Sequence, residues 1–309
     1  MSISRRTLVR NVGGLALGLG VSRLSRPAEA APADFSFIHI TDTHIQPELG
    51  ATEGVHQAFE KIRQLKEKPA FALIGGDLVM DANTVSRKRA EMVYDLWQEA
   101  ASSLNMPVYY TIGNHDAYAL GGESKLSSDN PEYGKKWWLK RLSLANRYNS
   151  FDHKGWRFVM LDSVSIDEQG GWHGELDADQ LLWLDNLLRK TDKNMPMVFL
   201  THIPIMTLFG MYTEGTTKAV SSGLVVSNGK QFQEMIQGRN VKAVFQGHTH
   251  VVEECIYLGT RYITGGAVSG DWWKGYRLGV HPEGFTVVRA KGGEISHRYM
   301  TYGWKARTV

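Results

Sequence analysis

What most limits the folds open to this chain is a set of five short polar segments. They are Asp42-Thr43-His44, Gly76-Asp77, Gly113-Asn114-His115-Asp116, His202 and Gly247-His248-Thr249-His250. Each follows an apolar run of strand-like composition. Taken singly, an Asp-x-His or a Gly-Asp is ordinarily a solvated strand end or a turn. Five of them, each at the exit of an apolar run, describe a cavity lined with metal ligands. Carboxylate oxygens, an asparagine carbonyl and imidazole nitrogens together suit Zn, Mn or Fe, whereas an all-oxygen set would suit Mg or Ca. Residues two apart on an extended segment point to one side, so each x-spaced pair is expected to face a common cavity. Gly76, Gly113 and Gly247 are expected to let the backbone turn sharply beside it.

The runs between these segments alternate in period. Phe35–Thr41 reads as a buried strand, and Glu53–Lys68 carries Val55, Phe59, Ile62 and Leu65 at helical spacing. Ala70–Gly75 and Pro107–Ile112 read as strands around a helix over Thr84–Ser103. Asp42 and Asp77 are separated by about one β-α-β unit. Residues 117–150, with Tyr133, Trp137, Trp138 and Tyr148, interrupt the rhythm as an aromatic-rich loop-and-helix insertion. A hairpin follows, Ser150–His153 with Arg157–Asp162 across Lys154-Gly155. Then come a helix over Asp179–Leu188, a strand over Met197–Thr201, a helix over Gly229–Gly238 and a strand over Ala243–Phe245. Beyond Val251 the pattern is β-rich, with strands near Glu254–Tyr257, Thr260–Ile263, Gly284–Arg289 and Ile295–Met300. This alternation predicts an α/β fold with a site at the strand C-termini. Residues 31–309 are expected to form one domain with two facing mixed sheets.

Residues 1–30 have the order of an export signal: a basic start, the short glycine-broken apolar stretch Asn11–Val21, and small residues ending at Ala30 or Ala33. The Ser4-Arg5-Arg6-Thr7-Leu8-Val9 context resembles a twin-arginine (Tat) signal. It predicts passage through the Tat machinery and a periplasmic or secreted product. A general secretory signal containing Arg-Arg, or a basic tail, is the alternative. This segment holds five arginines against Glu29 and accounts for the formal charge of +3; without it the chain has 30 basic and 31 acidic residues. No basic stripe of the kind that tracks nucleic acid is present. The single cysteine, Cys255, excludes an intrachain disulfide and a thiolate zinc cluster. No hydrophobic run after residue 30 approaches a membrane span.

The five segments, in this order, resemble the calcineurin-like metallophosphoesterase superfamily, whose pattern is D-x-H, GD, GNH[DE], H and GHxH. The likeness spans roughly residues 35–265 and is greatest to the bacterial class III cyclic-nucleotide phosphodiesterase branch. It implies a four-layer α-β-β-α sandwich and a dinuclear site for two divalent ions (Mn, Fe or Zn). On that likeness Asp42, His44 and His250 hold one ion, Asp77 bridges, and Asn114, His202 and His248 hold the other. His115 is the histidine that acts on the reacting phosphate. It implies hydrolysis of a phosphodiester by a metal-bridging hydroxide, with the two ions about 3.5–4 Å apart. Asp116 is expected to orient the His115 imidazole; a helix cap or turn residue is its plainer reading. Purple acid phosphatases, a related branch, carry a tyrosine ligand where this chain has Met80, so a ferric–tyrosinate centre is not expected. A phosphomonoesterase on the same dinuclear site is the rival activity, and a non-catalytic metal-binding protein the remote one.

Six histidines lie outside the segments. Among them, His39 is expected to be a strand residue satisfied by hydrogen bonds. His173 is either a cleft residue or a surface one. Trp272 and Trp273 follow a flexible glycine-rich run and either wall the site or serve packing. Asp162 reads as structural. Met206–Val226 is either a mobile lid or a long surface loop.

Overall fold

The structure is a computed structural model and describes residues 33–307; the export-signal reading of residues 1–30 lies outside them. In chain order the elements are β1 (Phe35–Ile40), α1 (Ala51–Arg63), β2 (Ala72–Ile74), α2 (Arg87–Ser102), β3 (Val108–Tyr110), α3 (Lys135–Leu142), β4 (Asn149–His153), β5 (Trp156–Met160), β6 (Val164–Ile166) and β7 (Trp172–Gly174). They continue as α4 (Ala178–Lys190), β8 (Met197–Leu200), α5 (Phe209–Thr213), α6 (Gly229–Ile236), β9 (Val241–Gln246), β10 (Val252–Tyr257), β11 (Thr260–Gly265), β12 (Gly284–Lys291) and β13 (Glu294–Thr301).

Two large mixed sheets carry the fold. One has the order β13-β12-β1-β2-β3, the other β10-β11-β9-β8-β5-β4. Within the first, β1, β2 and β3 are parallel; within the second, β5, β8, β9 and β11 are. β12 and β13 extend the first sheet antiparallel on the β1 side, and β10 and β4 close both edges of the second sheet antiparallel. The sheets meet through an aromatic-rich layer in which Phe35, Phe37, Phe71 and Val288 pack with Phe158, Val198 and Phe245. Because β1 is covered on both faces, every one of its residues is buried, which explains its nearly unbroken apolar sequence.

The helices flank these sheets. α1 buries Val55, Ala58, Phe59 and Ile62 along one stripe, α2 is capped by Ser86, which accepts from the Arg89 amide, and α4 by Asp177, which accepts from Gln180. α1 stops at Arg63, short of the expected Lys68. Pro69 disfavours helical backbone at the residue before it, and the turn tightens through Leu65 N–H to Ile62 O. In residues 117–150, α3 sends Trp137 and Trp138 into the core, with Tyr118 against Trp137. The β6–β7 hairpin and the short α5 have no counterpart in the sequence reading.

Candidate metal centre

All five polar segments leave the C-terminal ends of parallel strands: β1, β2, β3, β8 and β9. Parallel strands in register put those ends on one side, and the ligand atoms converge there. Asp42, His44 and His250 form one group; Asp77, His202 and His248 a second; His44, Asp77 and His115 a third that links them. Within each group the ligand atoms lie within 4.8 Å of one another. His44 Nε2 is 3.0 Å from His250 Nε2, and His250 Nε2 is 3.3 Å from Asp42 Oδ1. Asp77 Oδ2 reaches both sides, 3.5 Å from His44 Nε2 and 3.3 Å from His202 Nε2. Asn114 Oδ1 is 3.1 Å from His202 Nε2.

The pairs do not converge by the pleat of an extended strand, as the sequence suggested. Asp42, His44, Asp77, His248 and His250 all have positive φ, between 40° and 72°. Non-glycine residues in this left-handed region cost roughly 1 kcal/mol or more each, so such a concentration marks a site held by its surroundings. The three glycines also divide. Gly76 has φ 89° and supplies the expected turn. Gly113 and Gly247 serve close approach instead: a Cβ at Gly113 would lie 2.1 Å from Asp77 N, and one at Gly247 2.5 Å from Asp42 Oδ2.

Tautomers follow from the backbone. Nδ1–H of His202 donates to Gly75 O (2.8 Å) and that of His250 to Gly270 O (2.6 Å), which turns each Nε2 lone pair toward the carboxylates. His248 is reversed. Its Nε2–H donates to Gly223 O (2.8 Å), leaving Nδ1 buried without a partner among the described residues. Such outer partners fix ring orientation at metal-binding histidines. The donor set therefore fits divalent cations: imidazole nitrogens, carboxylates and an amide oxygen converge, and the outer ring nitrogens of His202, His248 and His250 are spent on carbonyls, while Nδ1 of His44 has no partner among the described residues.

Charge balance is tight. Burial pushes Asp42 up, but His250 beside it more than offsets this and leaves Asp42 at about 2. Burial likewise works against protonated His202, yet Asp77 raises it to about 9. At Asp116, burial and then the Asp77 charge raise the carboxyl to about 7.

Asp116 does not serve the His115 ring. Its oxygens accept from the backbone amides of Leu78 (2.8 Å), Val79 (3.4 Å) and Gly113 (2.8 Å), stitching the Gly76-Asp77 loop to the Gly113 loop. His115 Nδ1–H instead donates to the carbonyl of Met80, at 2.5 Å. Its ring stands edge-on to His44, with centroids 4.8 Å apart. No sequence signal pointed to Met80, because a backbone acceptor leaves no trace in side-chain identity.

Around the rim, Trp272 packs on His250 (4.5 Å) and His44 (6.0 Å), while Trp273 is buried and donates its indole N–H to His44 O. Trp172, not His173, stands against His248, at 5.6 Å; His173 alternates to the other side and meets Glu175. His39 departs from expectation. It is fully buried against Phe245, and neither ring nitrogen has a partner among the described residues. Burial lowers it to about 3, so it stays neutral behind the site. Asp162 is structural as expected, held by Lys135 (2.6 Å) and Arg147 (2.7 Å).

The chain belongs to the calcineurin-like phosphoesterase family, whose model matches residues 35–252. It is therefore a phosphoester hydrolase of a class that uses divalent metal ions. A 3′,5′-cyclic-nucleotide phosphodiesterase of Nostoc is 24% identical over 222 residues, covering 70% of this chain and 71% of the relative. A serine/threonine-protein phosphatase of Mus musculus, CPPED1, is 26% identical over 246 residues, covering 79% and 71%. A dimetal phosphatase from Danio rerio shares the fold with a TM-score of 0.59 at 16% identity, covering 86% of this chain and 98% of its own. No described helix is long and apolar enough to cross a membrane.

Proposed function

We propose that the chain hydrolyses phosphodiesters of the cyclic-nucleotide kind, with Asp42, His44 and His250 holding one divalent cation and Asn114, His202 and His248 a second. Asp77 is shared, since its Oδ2 reaches a histidine of each group. Bound cations supply the Lewis acidity that phosphoester cleavage requires. The observation that carries the diester reading is His115. Its Nδ1 is committed to the Met80 carbonyl, which leaves Nε2 to give a proton to a departing oxygen. An alkoxide leaving group, as in a ribose diester, needs that proton. The Nostoc relative supports the same substrate class.

The test is a turnover panel with purified protein loaded in turn with Mn, Fe and Zn. Cyclic nucleotides and bis(p-nitrophenyl) phosphate are set against p-nitrophenyl phosphate and a phosphopeptide. Faster monoester turnover would transfer the assignment to a phosphatase, the reading that the Mus musculus relative favours.

Residues 1–30 are proposed to direct Tat export, giving a periplasmic or secreted enzyme. Arg5→Lys with Arg6→Lys should abolish export and leave activity intact. Export that persists would reassign the segment to the general secretory route.

A further inference from the structure

At the opposite end of β1 from the metal ligands, the early stop of α1 leaves a groove that the chemistry above does not use. Its volume is about 760 Å³, within the range of small-molecule sites. Ser36 lines it from β1, Arg289 from β12, Arg298 from β13, and Lys61 and Lys66 from the end of α1 and the turn after it. The placement follows from strand alternation. Phe35 and Phe37 enter the layer between the sheets, so Ser36 between them faces the other way. The register sets Ser36 beside Arg289 and Arg289 beside Ser296, in a polar row across three strands.

Two observations ask for an anion here. The Ser36 hydroxyl is buried, its residue only 5% exposed, and it has no hydrogen-bond partner among the described residues. Arg289 is paired with Glu67, but Lys61, Lys66 and Arg298 meet no carboxylate among the described residues. After residue 30 the chain is nearly neutral, with 30 basic and 31 acidic residues, so the excess is local to this groove. Leu65, Val287 and Met300 add an apolar wall that a bare inorganic ion would not use.

We infer that this groove binds a small organic phosphate, a phosphomonoester dianion bearing a compact apolar or planar group, at a second site remote from the metal centre. Ser36 and Asp42 are six residues apart, roughly 20 Å along extended chain. The site is therefore independent of the ligand cluster.

Equilibrium dialysis of chelator-stripped full-length protein, with phenyl phosphate as the probe, tests this. Saturable one-to-one binding is expected, weakened by added salt. It should fall at least tenfold in the Lys61→Gln, Arg298→Gln double variant and severalfold in Ser36→Ala. Asp77→Ala and His115→Ala should leave it unchanged, which separates this site from the proposed active site. Thermal unfolding of each variant checks that the fold is kept. No saturable binding to stripped protein, or binding that survives the double substitution, overturns the inference. Equal affinity for inorganic phosphate overturns the organic class of ligand.

Discussion

The two halves of the ligand cluster are built from different material. Asp42, His44 and His250 are enclosed at the ends of β1 and β9, with 0–1% exposure. The outer nitrogen of His250 is bonded to Gly270, and Trp272 lies against its ring. In the other group Asp77 and His202 are just as deep, but His248 is partly exposed. The carbonyl that fixes its tautomer comes from Gly223, at the end of a segment whose residues 211–222 are all exposed. One half is held by the core and the other by a surface strap. Their hold on a cation should therefore differ, with the strapped half yielding first.

Asp77→Ala attacks what the halves share and should have the largest effect. Both cations should be lost, and turnover should fall by about 10⁴-fold or more. Elemental analysis showing two retained metals would break the shared-ligand reading.

His115→Ala is next. Metal content should hold while kcat drops about 10²–10⁴-fold on an alkyl or ribose diester, and far less on an aryl ester. Equal losses on both would assign His115 to the phosphoryl oxygens instead. Parallel loss of metal would make it a ligand.

Replacing residues 214–222 by a short Gly-Ser bridge removes the strap. Metal affinity at the His248 half should weaken by about 10–100-fold, seen as one tight and one weak step in a competitive chelator titration. Two steps weakened alike would erase the distinction between the halves.

Asp116→Asn should have the smallest effect on catalysis. It should lower stability by about 1–3 kcal/mol through lost amide contacts, measured by denaturant unfolding, and leave the leaving-group dependence of kcat unchanged. A His115-like dependence would restore Asp116 to the imidazole.

The residues of the candidate metal centre were legible in the sequence because each follows a strand whose composition is equally plain, and parallel strands bring such exits together. Strand positions came through for the same reason: Phe35, Phe37 and Phe245 must be buried wherever they fall. What was illegible belongs mostly to the backbone. The left-handed conformation of Asp42 and His250, the steric demand at Gly113 and Gly247, and the carbonyls of Gly75, Met80, Gly223 and Gly270 depend on where one loop meets another. Asp116 was misread because adjacency to His115 suggested contact, whereas the turn through residues 114–116 directs the carboxylate to the amides of Leu78 and Gly113. The β6–β7 hairpin was too short to show a period.

The sheet order has a consequence for biosynthesis. β1, among the earliest parts of the described chain to be made, lies between β2 and β12, and β12 in turn needs β13, which ends at Thr301. The first sheet is thus completed only once residue 301 has left the ribosome. Until then the Phe35–His39 edge that later pairs with β12 is an open apolar strand. A message truncated before the codons for residues 284–301 would release a product with every candidate metal ligand in place and a permanently unpaired edge, a substrate for aggregation and proteolysis rather than a shortened enzyme.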